Sequence, residues 1–133
     1  MTDITSETVT LKTPIQEIFN FLSDLNNYNQ LLPADNISDF QSTKENCSFK
    51  VQNAYNIGLN KQSEQSPNLI TLNSSENSPI KFELSIHISE KNSETSTYLN
   101  CQADLNPMLK MMVERPLQNL FNYMAKRLKE VKG

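Results

Sequence analysis

The chain has 133 residues, a formal net charge of −3 at pH 7 and 20% charged residues. This length is ordinary for one domain, so we expect residues 1–133 to form a single domain with a buried core. The modest charge excludes a charge-driven disordered chain and gives no reason to expect nucleic-acid binding. No charged and then apolar leader opens the sequence, and no apolar run is as long as a membrane span. We therefore expect a cytoplasmic protein without an integral membrane segment.

The two cysteines, Cys47 and Cys101, are far apart in the chain. Neither has a C-x-x-C or histidine-rich context, so the sequence predicts two reduced thiols, no metal site and no cofactor. A free cysteine is most often a small buried apolar residue, and we interpret both in that way.

The opening of the chain predicts a strand followed by helical segments. Residues 1–5 are expected to be a frayed start, and alternation over Glu7–Lys12 predicts a strand. Apolar residues at helical spacing follow, and a second short helix or turn is expected over Leu25–Leu32.

The start of the first helix is predicted from three residues. Thr13 suits the N-cap, Pro14 suits the first helical position, and Gln16 completes a capping box.

Six further strands are predicted by alternation with a period of two, interrupted by turn residues. They span Ile37–Ser42, Asn46–Asn53, Tyr55–Leu59, Leu69–Ser74, Ile80–Glu90 and Thr95–Leu105. The short turns between them, one of them at Asn77–Pro79, predict an antiparallel meander. Gly58 indicates a bulge or a close approach of another segment.

One face of the predicted sheet is almost wholly apolar, and we take it as the inner face. It comprises Cys47, Phe49, Val51, Leu59, Ile70, Leu72, Phe82, Leu84, Ile86, Leu99, Cys101 and Ala103. His87, the one histidine, falls on the opposite face, so a role as a catalytic base is not favoured.

The C-terminal segment after Asn106 predicts a long helix that covers this face. Pro107 suits its first turn, and cations near its C-terminus suit the helix dipole. Pro116 lies inside the helix and predicts a kink. The apolar residues at spacings of three and four are Leu109, Met112, Val113, Pro116, Leu117, Leu120, Phe121, Met124 and Leu128.

The segment Val9–Pro33 resembles the opening of the START/Bet v 1-like (SRPBCC) superfamily. It has a strand, a Pro-led helix with an Ile-Phe pair, and then an aspartate, an aromatic residue and a proline. The resemblance implies an α+β helix-grip fold of order β-α-α-β6-α, in which a curved antiparallel sheet wraps around the long C-terminal helix. Members of the superfamily bind lipids, sterols, polyketides or plant metabolites. Some are polyketide cyclases or dehydratases, and some are co-chaperone domains.

We therefore expect a small protein, monomeric or homodimeric, that binds an apolar or amphipathic small molecule between the sheet and the last helix. An apolar inner face without charged groups favours binding over catalysis. The candidate lining residues are Phe49, Val51, Leu59, Leu72, Phe82, Leu84, Leu99, Cys101, Leu109, Met112, Val113, Pro116 and Leu120.

Two alternatives stay open. A cyclase or dehydratase would need polar groups on the inner face. An interaction module would have a filled core and would use a surface such as the basic end of the last helix. Residues 107–133 hold six Lys/Arg and two Asp/Glu, a local charge of +4, which either offsets the helix dipole or docks an acidic partner.

Overall fold

The computed structural model describes residues 1–51, 55–76 and 78–133, and within them it shows one antiparallel sheet and three helical segments. The strands are β1 (Thr2–Thr5), β2 (Val9–Leu11), β3 (Ile37–Ser42), β4 (Asn46–Val51), β5 (Tyr55–Gln65), β6 (Leu69–Ser74), β7 (Phe82–Lys91) and β8 (Glu94–Ala103). The helical segments are α1 (Ile15–Ser23), a 3₁₀ helix (Leu25–Gln30) and α2 (Pro107–Lys132). The predicted α+β helix-grip class is confirmed, with one strand more than expected.

The sheet follows the predicted meander. Its strand order is β1-β8-β7-β6-β5-β4-β3, and β2 also pairs with β8. The longest hairpin, β7–β8, turns on Asn92 and Ser93, which have φ of 55° and 67°. A two-residue loop with positive φ at both positions matches the twist of the flanking strands. The hairpin register places His87 opposite Tyr98.

The expectation of a frayed start is wrong. Thr2–Thr5 forms β1, which pairs with β8 from Thr2↔Ala103 to Thr5↔Asn100. Thr2 and Ile4 are buried, and Asp3 and Thr5 are exposed. The hydrogen bonds to β8 stabilise a strand of four residues that could not form alone.

The predicted capping box is also wrong. α1 begins at Ile15, after Pro14, and no side chain caps its N-terminus. The Thr13 hydroxyl instead donates to the carbonyl of Lys132, and the Thr13 carbonyl accepts a hydrogen bond of 2.8 Å from Thr95 Oγ1. Thr13 therefore joins α1 to the end of α2 and to β8, and these long-range bonds replace the local cap.

Several strand ends differ from the prediction by a few residues. β5 runs on to Gln65, because its backbone continues to pair with β6 as far as Leu69. β4 ends at Val51 within the described part of the chain. Residues 52–53 of the strand predicted over Asn46–Asn53, and Asn77 of the predicted turn, lie outside the described residues.

The inner face of the sheet carries the core, as the alternation predicts. On β6, Ile70 and Leu72 are fully buried, while Leu69 and Thr71 are only partly covered. The same alternation continues along β7 and β8, so the apolar side chains of neighbouring strands meet on one side. Both cysteines lie in this core.

The boundaries of α2 agree with the local signals. The Asn106 side chain caps the helix by accepting a 2.9 Å hydrogen bond from the N–H of Leu109, and Pro107 occupies the first turn. Lys129 and Lys132 lie in the last turn, where cations interact favourably with the helix dipole.

Gly58 on β5 is a point of close approach, one of the two roles that the sequence allowed. A Cβ at this position would lie 2.1 Å from Ser75 Oγ and 2.6 Å from Ser75 Cβ. The Gly58 carbonyl accepts from the N–H of Ser75 at 3.0 Å, and its N–H donates to Ser78 Oγ at 2.9 Å. Glycine is therefore required here by the loop after β6, which packs directly onto the β5 backbone.

We expect Gly58→Ala to lower the free energy of unfolding by about 1–3 kcal/mol, because the new methyl group overlaps the Ser75 side chain. Urea denaturation measures the loss. Ser75→Gly added to the same chain removes the overlapping atoms and should recover part of it. An unchanged urea midpoint for Gly58→Ala would show that the two segments do not meet.

Candidate ligand-binding site

The predicted site lies between the inner face of the sheet and α2. Its strand residues are buried or half-buried. Val51 and Phe82 keep partial exposure near one end of the sheet, where the β6–β7 loop and the start of α2 also lie. The fully buried members are Phe49, Leu59, Leu72, Leu84, Leu99 and Cys101.

The opposite end of this space is closed by α1, the 3₁₀ helix and α2. The cavity that remains there has a volume of about 10 Å³. That is about enough for a single water molecule, so side chains fill this end. The lining consists of Leu22, Tyr28, Leu31, Ile86, Thr97, Leu99, Met124 and Leu128. Of these, Leu99 alone is among the predicted lining residues. The prediction took no residue from α1, from the 3₁₀ helix or from α2 beyond Leu120, and it left out Ile86 and Thr97 on the strands.

The two halves of α2 differ in packing. Residues 117–132, here called the C-terminal half, bury Phe121, Met124 and Leu128. Residues 107–116, here called the N-terminal half, bury no side chain completely. Met112 is 59% exposed and Pro116 is also exposed. The expectation that the whole helix covers the sheet is therefore wrong for the N-terminal half.

Hydrogen bonds hold α2 on both flanks, and they come from its C-terminal half. On one flank Gln118 Nε2 donates to the Thr5 carbonyl at 2.7 Å, and Asn122 Oδ1 accepts from the N–H of Glu7 at 2.9 Å. On the other flank Arg127 Nε donates to the carbonyl of Gln30 at 3.0 Å. The C-terminal half is thus fixed between the β1–β2 edge and the 3₁₀ helix.

The helical repeat then shows where the N-terminal half points. Residues four or seven positions apart share a side of a helix, so Leu109, Val113 and Leu120 lie on the same flank as Arg127. That flank faces the 3₁₀ helix, across the concave side of the sheet. Leu109, Val113 and Leu120 are each partly buried there. We take these three partly exposed apolar side chains as the mouth of the space under α2.

The potential nucleophiles of the core are unreactive by environment. Burial raises the pKa of the Cys47 thiol to about 12. Burial, and to a lesser extent the charge of Asp3, raises the pKa of the Cys101 thiol to about 12. A thiol with such a pKa is almost entirely protonated at neutral pH, and only the thiolate is nucleophilic.

His87 lies on the outer face of the sheet, as predicted. Its ring stacks on Tyr98, with ring centroids 4.7 Å apart and planes within 8°. The cross-strand pair stabilises the hairpin. Because His87 lies on the outer face, a cyclase mechanism would have no histidine on the inner face to act as a base.

A second depression, which the sequence did not indicate, lies along β3, β4 and β5. It is an open groove of about 520 Å³ lined by Asp39, Gln41, Ser48, Phe49, Lys50, Asn56, Ile57, Gly58 and Ser75. A bulge in β3 gives Asp39 a φ of 54° and brings its carboxylate within 3.6 Å of Lys50 Nζ. This ion pair is exposed and therefore weak. The polar side chains of the groove do not suit an apolar ligand.

Across 1–51, 55–76 and 78–133, no three His, Cys, Asp or Glu side chains come together in a way that could hold a metal ion. Among the helices described, none is both long and apolar enough to span a membrane.

No protein-family model matches this sequence, and no curated protein matches it. Solved structures do. The protein XoxI from Bacillus cereus has a TM-score of 0.79 and 11% identity, over 99% of this chain and 96% of that chain. A START superfamily protein from Mycobacterium smegmatis has a TM-score of 0.67 and 14% identity, over 97% and 98%.

The di-domain ARO/CYC BexL from the BE-7585A biosynthetic pathway is also similar. Its TM-score is 0.73 and its identity 9%, over 98% of this chain and 46% of that chain. Together these likenesses show that the chain has the START/Bet v 1-like (SRPBCC) fold. At such identities they show the fold alone.

The thiol environment predicts how the protein responds to alkylation and pH. We expect neither Cys47 nor Cys101 to react with iodoacetamide at pH 8 in the folded protein, and both to react in urea. Because their pKa rises from 9.0 to about 12 on folding, their contribution to stability is complete below pH 9 and declines between pH 9 and 12. Mass spectrometry after labelling gives the test, and rapid labelling of either thiol in the folded state contradicts the buried placement.

Proposed function

We propose that this START/Bet v 1-like fold binds an apolar or amphipathic small molecule between the inner face of the sheet and α2. The observation that carries the proposal is the packing difference within α2. Its C-terminal half is fixed, whereas Leu109 and Val113 in its N-terminal half are only partly buried. A ligand under this half would bury apolar surface that is exposed in the free protein.

The exposed methionine beside the mouth supports the same conclusion. Met112 is 59% exposed, whereas Met108 and Met111, at 72% and 87%, lie further out in solvent. Methionine is unbranched and flexible, and it packs against ligands of different shapes. Of the three, Met112 lies closest to the mouth, since it is adjacent to Val113 and three residues from Leu109.

Pro116 marks the junction between the two halves. A proline inside a helix has no N–H, so the carbonyl of Met112 lacks its usual intrahelical donor. The helix is therefore weakest between its unpacked and its packed part. A shift there widens the mouth without disturbing Phe121 or Leu128. Such a shift is required, because the enclosed cavity of about 10 Å³ is far below the roughly 300–1,000 Å³ typical of ligand sites.

A specific observation favours a second candidate function, an interaction module. The side of α2 that faces solvent carries an apolar stripe, defined as Met108, Met111, Met112 and Tyr123. These four are the large exposed apolar side chains of the described residues besides Met1. An exposed apolar stripe on a protein with a filled interior is typical of a surface that binds another protein.

The ligand proposal is tested with 1,6-diphenylhexatriene, an apolar probe that fluoresces when it leaves water. We expect wild-type protein to bind it and Val113→Glu to weaken binding at least about tenfold, because the carboxylate is placed without a partner in an apolar contact.

Met111→Glu is the matched control. It introduces the same charge two residues away, on a side chain that is 87% exposed, and it should bind the probe as wild type does. Equal loss in both variants would contradict the position of the site. No binding by wild-type protein would contradict the proposed function itself.

The same control variant tests the interaction module. If the stripe holds two copies together, light scattering after size exclusion should show a dimer for wild type, and Met111→Glu should dissociate it by placing a charge in the contact. Lys126→Glu with Lys129→Glu tests the basic end in the same assay. A wild-type monomer at every concentration would exclude self-association through this surface.

A further inference from the structure

Thr97 stands out among the buried polar residues. Its side chain is 0% exposed, and its hydroxyl finds no hydrogen-bond partner among the residues that the structure describes. Its neighbours on β8 do have hydrogen-bond partners. Thr95 Oγ1 donates to the Thr13 carbonyl at 2.8 Å, and the N–H of Leu99 donates to Ser6 Oγ at 2.9 Å. A buried hydroxyl without a partner is destabilising, because it has lost its hydrogen bonds to water, so it needs an explanation.

The unpartnered hydroxyl lines the small cavity at the closed end of the space under α2. Of the eight lining residues, Tyr28 and Thr97 are the polar ones. The Tyr28 hydroxyl already donates to the Leu22 carbonyl at 2.9 Å. Thr97 therefore supplies the one lining hydroxyl whose hydrogen has no acceptor among the described residues, and apart from these two hydroxyls the wall is apolar.

The cavity can enlarge by a side-chain movement. Met124 forms part of its wall and has three rotatable bonds, which lets it move without a change of backbone. Met124 lies eleven residues after Val113 on α2, a distance of about 16 Å at 1.5 Å per residue. A molecule that enters at the mouth and lies along α2 would place its far end at Thr97.

The charge of the lining restricts what that far end can be. None of the eight residues is a cation, and burial raises the pKa of Tyr28 well above its usual value, with a smaller effect from Cys47. A carboxylate placed here would be buried without a counter-charge, which is strongly unfavourable. A neutral oxygen can accept a hydrogen bond from the Thr97 hydroxyl without this penalty.

We propose that Thr97 Oγ1 is the hydrogen-bond anchor for the neutral polar end, such as a ketone, ester or alcohol oxygen, of an amphipathic ligand. This inference rests on the proposed function and adds the class of ligand. It distinguishes long-chain neutral compounds from free fatty acids, which share the apolar part but end in a charge.

The experiment measures competition of 2-dodecanone and dodecanoate with bound 1,6-diphenylhexatriene. We expect wild-type protein to prefer the ketone by at least about tenfold. Thr97→Val should weaken ketone binding about fivefold, the effect of one neutral hydrogen bond, and Thr97→Ser should restore it. Binding of diphenylhexatriene, which has no hydrogen-bonding group, should be the same in all three proteins.

Thr95→Val is the control for a merely structural effect. It removes a buried hydroxyl from the same strand, but one that bonds to Thr13 and does not line the cavity. It should lower the melting temperature and leave ketone affinity unchanged, whereas Thr97→Val should keep or raise the melting temperature.

If diphenylhexatriene binds but wild type and Thr97→Val bind the ketone equally, the anchor is wrong and the proposed function stands. If neither diphenylhexatriene nor 2-dodecanone binds wild-type protein, the anchor and the proposed function are both overturned.

Discussion

The structure depends on the packing of the C-terminal half of α2 against the sheet. Phe121, Met124 and Leu128 are buried there, and each such side chain contributes about 2 kcal/mol of hydrophobic free energy. Hydrogen bonds from Gln118 and Arg127 fix the rotation of the helix about its axis. Because α2 continues as one helix through Pro116, this half also determines where the N-terminal half lies in the free protein. The apolar mouth is a consequence of that constraint.

Most of the sheet could be predicted because alternation reports directly which side of a strand is buried. From Leu84 to Ile88 on β7 and from Leu99 to Ala103 on β8 every second residue is apolar, and the structure buries those residues. β1 could not be recognised in this way. A strand of four residues, Thr2–Thr5, has too few alternations to be distinguished from a loop, and its stability comes from β8, which lies almost a hundred residues later. The cap predicted at Thr13 was wrong for the same reason, because the residues that Thr13 bonds to, Lys132 and Thr95, belong to distant elements.

The cover of the sheet could be predicted only in part, because periodicity shows an apolar stripe but not what lies against it. Met112 and Phe121 both belong to the predicted stripe, yet Met112 is 59% and Phe121 4% exposed. The buried line of α2 passes through Phe121 and Leu128, to one side of the line through Val113 and Leu120. This rotation is set by the contacts with β1, β2 and β8, which a helical pattern does not contain.

Thr97 shows the same limit of prediction from sequence for a single hydroxyl group. Alternation along β8 places its side chain inward, but whether the hydroxyl has a partner depends on Tyr28 and Leu22, whose polar groups bond to each other instead. The small enclosed cavity also bears on the proposed function. If the protein binds a ligand as we propose, binding is limited to the fraction of molecules in which Met124 and the N-terminal half of α2 have moved, and the apparent affinity is reduced by that fraction. On that proposal the free energy of opening, at the Met124 side chain and at Pro116, sets the affinity more than the number of contacts does.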